Sequence, residues 1–402
     1  MDITRVTLLG HKDHGKSTLI GNLLIETKSV SSQRINEAKK ISKQLNRHFE
    51  PGFILDSFEE EREGGLTIDT TRAQILYKKG AFEFIDVPGH EELIKNMISG
   101  ASNADFAILM VSARKDEGIR DQTLRHLFLA QMLGIRKIIV AVNKMDQIGY
   151  DEEVFSGIKE TIYEFLTKIG YELKNIHVVP ISAYNAENLK SRSKNMKWYK
   201  GKPLLDIMLE ESKSENRSAG TELRVSVQGT LDGQDLLIGR VLSGTLRNGE
   251  RIVMLPQNSQ YKVSTLFIKG KKAKSAKPGQ SVAIKLDKKP PVEARGSVIC
   301  HIDKSIKPDS RFNVLMFAVK KPGSETTINF NGNSLGCKLR ITEVIDTTTG
   351  SRTNEALKPL NAAKAVIDIN RKIVAEPFSK SEQLGRFVLY EKGEFSGIGV
   401  II

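Results

Sequence analysis

The chain reads as an α/β domain with a mostly parallel sheet over residues 1–212, followed by two all-β barrel domains over 221–305 and 306–402. Three observations predict this. In the first half, short apolar runs alternate with helix-period segments, the pattern of strands joined by covering helices. In the second half, short strand-like runs follow one another with turn dipeptides between them. Between the halves, Glu211-Ser-Lys-Ser-Glu-Asn-Arg-Ser-Ala-Gly220 is polar and small, as a linker is.

The expected strands of the first domain are Val6–Leu9, Ala73–Tyr77, Phe82–Asp86, Phe106–Ser112, Lys137–Asn143 and His177–Ile181. Helices are expected between them, at Thr18–Ile25, Asp121–Leu133 and Glu152–Ile169. Beyond the linker the expected strands include Leu223–Gly229, Leu237–Ser243, Arg251–Leu255, Ser281–Leu286, Phe312–Ala318 and Ala365–Asn370. Asp232-Gly233, Asn248-Gly249 and Pro278-Gly279 supply turns, since glycine accepts the left-handed backbone that tight turns need. The division between the barrels is placed near Lys304–Asp309.

A length of 402 residues suits two or three domains. The net charge of +13 is uneven. Residues 1–212 hold 30 basic and 30 acidic side chains, whereas 221–402 hold 29 basic and 17 acidic ones. Such a bias toward the barrels predicts a polyanionic partner, nucleic acid first. No apolar run approaches the roughly 18 residues of a membrane span, so no membrane partner is expected. Met-Asp-Ile-Thr-Arg runs straight into the first strand without a signal peptide. Cys300 and Cys337 lack metal-ligand spacing, which predicts inert thiols in a reduced, cytoplasmic protein.

The chemistry is concentrated in the first domain. Gly10-His-Lys-Asp-His-Gly15-Lys16-Ser17 follows an apolar strand and opens a helix. That is the setting of a P-loop, whose glycines let backbone N–H groups turn inward around phosphates. Gly10, His11, Asp13, His14, Gly15, Lys16, Ser17 and Thr18 are therefore the expected phosphate-side residues, with Lys16 as a point charge and Ser17 as a Mg²⁺ ligand. Thr67, in Glu61-Arg-Glu-Gly-Gly-Leu-Thr67, can complete the metal shell and sense the γ-phosphate. Asp86 ends a strand and can hold Mg²⁺. The Gly89 N–H can approach the γ-phosphate, and His90 follows where a water-orienting side chain is wanted. In Asn143-Lys144-Met-Asp146 the carboxylate can accept from N1–H and N2–H of guanine, donors that adenine does not present in that arrangement. Asn143 would brace the loop and Lys144 would cover the base. After the last strand comes Ser182-Ala183, where the Ala183 N–H can meet guanine O6. Together these elements predict GTP/GDP as ligand, with Mg²⁺.

These motifs resemble the translational GTPase superfamily, in its elongation factor Tu/1-alpha branch. Asp121-Gln-Thr123, Asn195-Met-Lys-Trp-Tyr-Lys-Gly201, Leu384-Gly-Arg-Phe387 and Gly397-Ile-Gly-Val400 extend the resemblance over essentially the whole chain. It implies an α/β P-loop GTPase domain followed by two all-β barrels, GTP hydrolysis, and delivery of aminoacyl-tRNA or a tRNA-like ligand to the ribosome. His90 matches the family's catalytic histidine and Asp13 its P-loop aspartate. A monomer with a guanine-nucleotide exchange factor as a further partner is the matching expectation. The chain is also similar to the large subunit of sulfate adenylyltransferase and to release or ribosome-rescue GTPases, so the cargo stays open. Lys12 departs from the apolar residue that the family places beside the catalytic histidine. Lys269, Lys271, Lys272, Lys274 and Lys277 form a basic cluster outside the resemblance.

Overall fold

The computed structural model describes residues 3–44, 49–54, 72–85, 104–212, 221–231, 235–291, 293–323, 325–353 and 355–402. The chain forms two compact units, the α/β half and the β half.

The α/β unit contains β1 (Ile3–Leu9), α1 (Lys16–Glu26), α2 (Ser32–Gln44), β2 (Arg72–Tyr77), β3 (Gly80–Ile85), β4 (Phe106–Ser112), α3 (Asp121–Met132), β5 (Ile138–Asn143), α4 (Glu152–Lys168), β6 (Ile176–Pro180) and α5 (Leu204–Ser212). Its sheet runs in the order β2-β3-β1-β4-β5-β6. β1 pairs in parallel with β3 and β4, and β4, β5 and β6 continue in parallel. β2 joins β3 antiparallel, so the sheet is mixed at one edge. Every residue of β4 and β5 is buried, which is why both read as unbroken apolar runs. Leu8, Phe84, Ile108, Met110 and Ile139 pack with Leu19, Ile20 and Leu23 of α1 in one core.

Register keeps the carboxyl ends of β4, β5 and β6 level, and β1 ends three residues short of β4. Leu9 is opposite Leu109, Ser112 opposite Asn143, and Val142 opposite Pro180. The loops after β1, β4, β5 and β6 therefore leave the same edge of the sheet. In parallel α/β sheets ligands bind in the crevice outside that edge.

The β unit begins with β7 (Arg224–Leu231), β8 (Leu236–Ser243), β9 (Leu246–Arg247), β10 (Arg251–Leu255), β11 (Ser259–Ile268), β12 (Lys271–Ala273), β13 (Ser275–Ala276), β14 (Ser281–Leu286) and β15 (Val298–His301). The order β10-β15-β7-β8-β14-β11 closes through a β10–β11 pairing into a six-stranded antiparallel barrel, with β12 added outside the ring. It continues with β16 (Asp309–Ala318), β17 (Thr326–Phe330), β18 (Asn333–Ile345), β19 (Arg352–Thr353), β20 (Ala362–Ile373), β21 (Arg386–Glu391) and β22 (Glu394–Ile401). Here β17-β21-β22-β16-β20-β18 closes through β17–β18 into a second six-stranded barrel. Closure removes the unpaired edges of an open sheet. Strands such as β14 alternate exposed and buried positions, with Val282, Ile284 and Leu286 facing the core.

A buried ion pair fastens the barrels together. Arg224, 4% exposed, donates from Nε to both carboxylate oxygens of Glu376 at 3.3 Å and from Nη2 to Oε1 at 3.1 Å. It also donates to Glu222 at 2.6 Å and to the carbonyls of Leu223 and Lys304. Burial opposes the guanidinium charge, yet these acceptors, Glu376 first, raise its pKa above the ordinary value. Removing one partner of a buried pair leaves an uncompensated charge, which costs about 3–5 kcal/mol. We expect Glu376→Ala to lower the stability of the β unit by that order, read as a shift in the denaturant midpoint of the full chain. Replacement of both partners, as Arg224→Met with Glu376→Leu, should recover most of that stability; a Glu376→Ala midpoint equal to wild type would contradict the assignment.

Candidate nucleotide site

The loop after β1 turns on two glycines that no other residue could replace without strain. Gly10 has φ +131° and Gly15 φ +87°. A Cβ on Gly10 would lie 2.5 Å from the Met110 carbonyl oxygen, and one on Gly15 would lie 2.5 Å from Asn143 Nδ2. Residues Lys12–His14 make a single 3-10 turn between them, and α1 starts at Lys16 without a side-chain cap. The uncapped N–H groups of a helix start are an anion site. Lys16 is 7% exposed and donates to the carbonyls of Gly10 at 2.9 Å and His11 at 3.0 Å, so its ammonium is folded over the loop. Ser17 is exposed at the helix start and Thr18 half-buried. The Asp13 carboxylate is exposed, 3.5 Å from His11 Nδ1.

Asn143, buried at the end of β5, joins three loops. Its Nδ2 donates to the His14 carbonyl at 2.9 Å, and its Oδ1 accepts from the Ala183 N–H at 2.8 Å. Asn22 of α1 donates to the carbonyls of Ala183 and Tyr184. The Ala183 N–H, expected at guanine O6, is thus already given to Asn143, and contact with a base would require sharing that hydrogen. Ser182 is fully buried; its hydroxyl accepts from the Asn185 N–H, shaping the turn after β6.

Lys144 takes a left-handed backbone, φ +64°, at the start of the Met145–Ile148 turn. Its ammonium pairs with Glu117 at 2.6 Å, both groups largely buried. Burial alone would push the Glu117 carboxyl up, but Lys144, the Ser112 hydroxyl and Arg114 hold it below its ordinary value. Glu117 carries no signal in the sequence. It meets Lys144 because the loops after β4 and β5 leave adjacent, level strand ends. Asp146 is half-buried, and among the described residues its carboxylate has no protein partner. An open acceptor there fits a base that presents N–H donors.

Two histidines lie beneath the loop. The motif places His14 among the phosphate-side groups, but its ring is fully buried and Nδ1 donates to the Met110 carbonyl at 2.9 Å. Burial lowers its pKa, so the ring is a neutral part of the loop's foundation. His126 of α3 is 4% exposed and burial, aided by Lys16 and His11, brings its pKa down to about 4. Thr67, Asp86, Gly89, His90 and the Lys12 side chain lie outside the described residues.

A phosphate loop after β1, with base-side loops after β5 and β6, is the layout of a P-loop GTPase. Residues 1–214 match the family model described as "Elongation factor Tu GTP binding domain", and 313–402 match "GTP-eEF1A C-terminal domain-like". Elongation factor 1-alpha of Aeropyrum pernix is 34% identical over 98% of this chain and 95% of its own length. That of Methanothermobacter thermautotrophicus is 31% identical over 99% and 96%. A solved sup35 chain complexed with GDP aligns over 100% of this chain and 94% of its own, at 21% identity and a TM-score of 0.44. The chain belongs to the elongation factor Tu/1-alpha family of translational GTPases, and its enzymatic activity is GTP hydrolysis.

Asn143→Ala would leave the His14 carbonyl and the Ala183 N–H without their shared partner, at about 1–3 kcal/mol per buried group. We expect guanine-nucleotide affinity to fall by about tenfold or more in a fluorescent-nucleotide titration; unchanged affinity would remove Asn143 from the site. His126 has a folded pKa near 4 against 6.5 for the free side chain, so the unfolded chain binds more protons between those values. The stability this group contributes is intact above pH 6.5 and drains away as pH falls toward 4. Unfolding midpoints measured across that window should decline less steeply for His126→Leu than for wild type.

Proposed function

We propose that the protein, in its GTP form, carries aminoacyl-tRNA or a tRNA-like ligand to the ribosome, acting as a cytoplasmic monomer. The observation that carries this reading is the charge division: 30 basic against 30 acidic residues in 1–212, but 29 against 17 in 221–402. Neutralising phosphates with Lys and Arg supplies most of the affinity for a nucleic acid. Family membership sets the same expectation, because the relatives named above are elongation factors.

Within the nucleotide site, Gly10 to Thr18 would cradle the phosphates and Asp146 would read guanine, with Lys144 held beside it by Glu117. A divalent cation would be held by the exposed Ser17 hydroxyl, with Thr67 and Asp86 completing the set. Magnesium bound there would neutralise charge on the β- and γ-phosphates. The Gly89 N–H would contact the γ-phosphate, and His90 would orient the attacking water, with Asp13 acting from within the phosphate loop. An exchange factor is the partner that a tightly held GDP would require.

The test is retention of labelled transfer RNA by the full chain with GTP analogue or GDP, at several salt concentrations. Binding should require the triphosphate form, and log affinity should fall against log salt with a slope of about −3 or steeper, as for four or more phosphate contacts. Absent or nucleotide-independent binding would direct attention to a protein cargo and overturn the reading.

A further inference from the structure

We infer that the hairpin formed by β11 and β12 is a built-in grip for the phosphodiester backbone of a nucleic acid, made by Lys269, Lys271, Lys272 and Lys274. The choice of RNA as its ligand rests on the function proposed above; the grip itself rests on four features of the β unit.

The first is composition. From Arg251 to Leu286 the chain holds eight basic side chains and no acidic one. The second is placement. β12 pairs with β11 but lies outside the closed ring of six strands, so the hairpin is an addition to a barrel already complete without it. Lys269 and Gly270 both take left-handed backbone, φ +48° and +76°, which makes the two-residue turn that continues the strand twist. The four lysines at and after this turn are all exposed.

The third feature is rigidity. Beyond the hairpin, β13 pairs with β9 and buries Ala276 against Leu246. Asn248 donates from Nδ2 to the Ala273 carbonyl at 3.0 Å and from its backbone to the Lys274 carbonyl at 3.1 Å. The flap is tied at its base to the β9–Asn248 segment, so its charges are presented with less backbone entropy to give up on binding.

The fourth is the contrast in pairing. Elsewhere in the β unit several surface cations are matched: Arg247 with Glu250, Arg311 with Asp368, Lys320 with Glu394, Lys358 with Glu355, and both Arg352 and Lys364 with Glu343. Among the described residues, none of the four hairpin ammonium groups has a partner within the protein. Adjacent like charges without counter-charges repel, and a polyanion relieves that repulsion while releasing its condensed counterions. The turn carries no apolar side chain that could enter a lipid layer, which favours a nucleic acid over an anionic membrane.

Lysines on an edge strand also guard against edge-to-edge aggregation. The experiment separates the two roles. The full chain and a variant with Lys269→Gln, Lys271→Gln, Lys272→Gln and Lys274→Gln are titrated with bulk transfer RNA, with oligouridylate and with a DNA oligomer, at about 50 to 200 mM salt. Every phosphate that is no longer neutralised makes the slope shallower by about 0.9 on duplex and 0.7 on a single strand. The variant should show a slope shallower by about 2–3 and a low-salt affinity weaker by about tenfold or more, with guanine-nucleotide binding unchanged. A paired variant, Lys271→Glu with Lys272→Glu, supplies the same readout should the fourfold variant fold poorly.

Equal slopes overturn the proposal. Aggregation of the variant with an unchanged slope assigns the lysines to edge protection instead. Binding of phosphatidylserine vesicles with no effect on any nucleic acid assigns the patch to a membrane. A hairpin-dependent slope on oligouridylate without triphosphate-dependent retention of transfer RNA would keep the grip and discard the delivery role. Triphosphate-dependent retention with a slope indifferent to the hairpin would do the reverse.

Discussion

One side-chain amide holds the nucleotide site together. Asn143 donates to the loop after β1 and accepts from the loop after β6 while standing at the end of β5. A buried amide has both donors and acceptors to satisfy, and here both are satisfied by backbone that would otherwise be unpaired. The phosphate loop and the base loops consequently cannot shift independently. Gly15 is part of the same contact, because any Cβ on it would strike the Asn143 amide. The spacing from Gly10 to Gly15 and the asparagine far along the chain are thus two sides of one packing solution.

What the sequence reveals about such a site depends on whether its chemistry is local in the chain. The phosphate loop, Asn143 to Asp146 and Ser182-Ala183 are runs whose residue types are dictated by the ligand they would serve, so they are legible one run at a time. Glu117 is not, because its role is created by the register that sets Ser112 opposite Asn143. His14 is readable as part of a motif but not in its role, since only the fold shows the ring under Met110. The elements divide similarly. β4 and β10 are legible to the residue because each is an apolar run, Phe106–Val111 and Ile252–Leu255, with one polar residue at an end. α2 is not: among its described side chains the buried ones are Ala38 and Ser42, one turn apart, and most of the helix is polar. β18 alternates from Cys337 to Thr342, but a register shift between Ile341 and Glu343 breaks the period and hides the strand's full length.

The two halves of the β unit handle charge differently. Both barrels carry matched pairs on their outer faces, such as Arg247 with Glu250 on the first and Arg311 with Asp368 on the second, each of which is worth little on an exposed surface. The first barrel concentrates unmatched lysines on an appended hairpin while sealing its own ring with apolar side chains. Placing repulsive charge on an element that the barrel does not need for closure confines its cost to the hairpin. Burial of Arg224 against Glu376 between the barrels follows the opposite rule, where a charge removed from water must be fully paired.

The same reasoning accounts for the histidines under the phosphate loop. A loop that is to receive a highly charged polyphosphate gains from every fixed positive group but is weakened by any carboxylate that would compete for Lys16. His14 and His126 are two of the described groups beside it, and burial lowers the pKa of both. A neutral imidazole fills the space below the loop and can still donate, as His14 does to the Met110 carbonyl beside Gly10. That hydrogen bond ties the loop to the central strand β4 without adding a counter-charge. Among these groups the fixed positive charge is that of Lys16, held on the Gly10 and His11 carbonyls, and the two imidazoles add none.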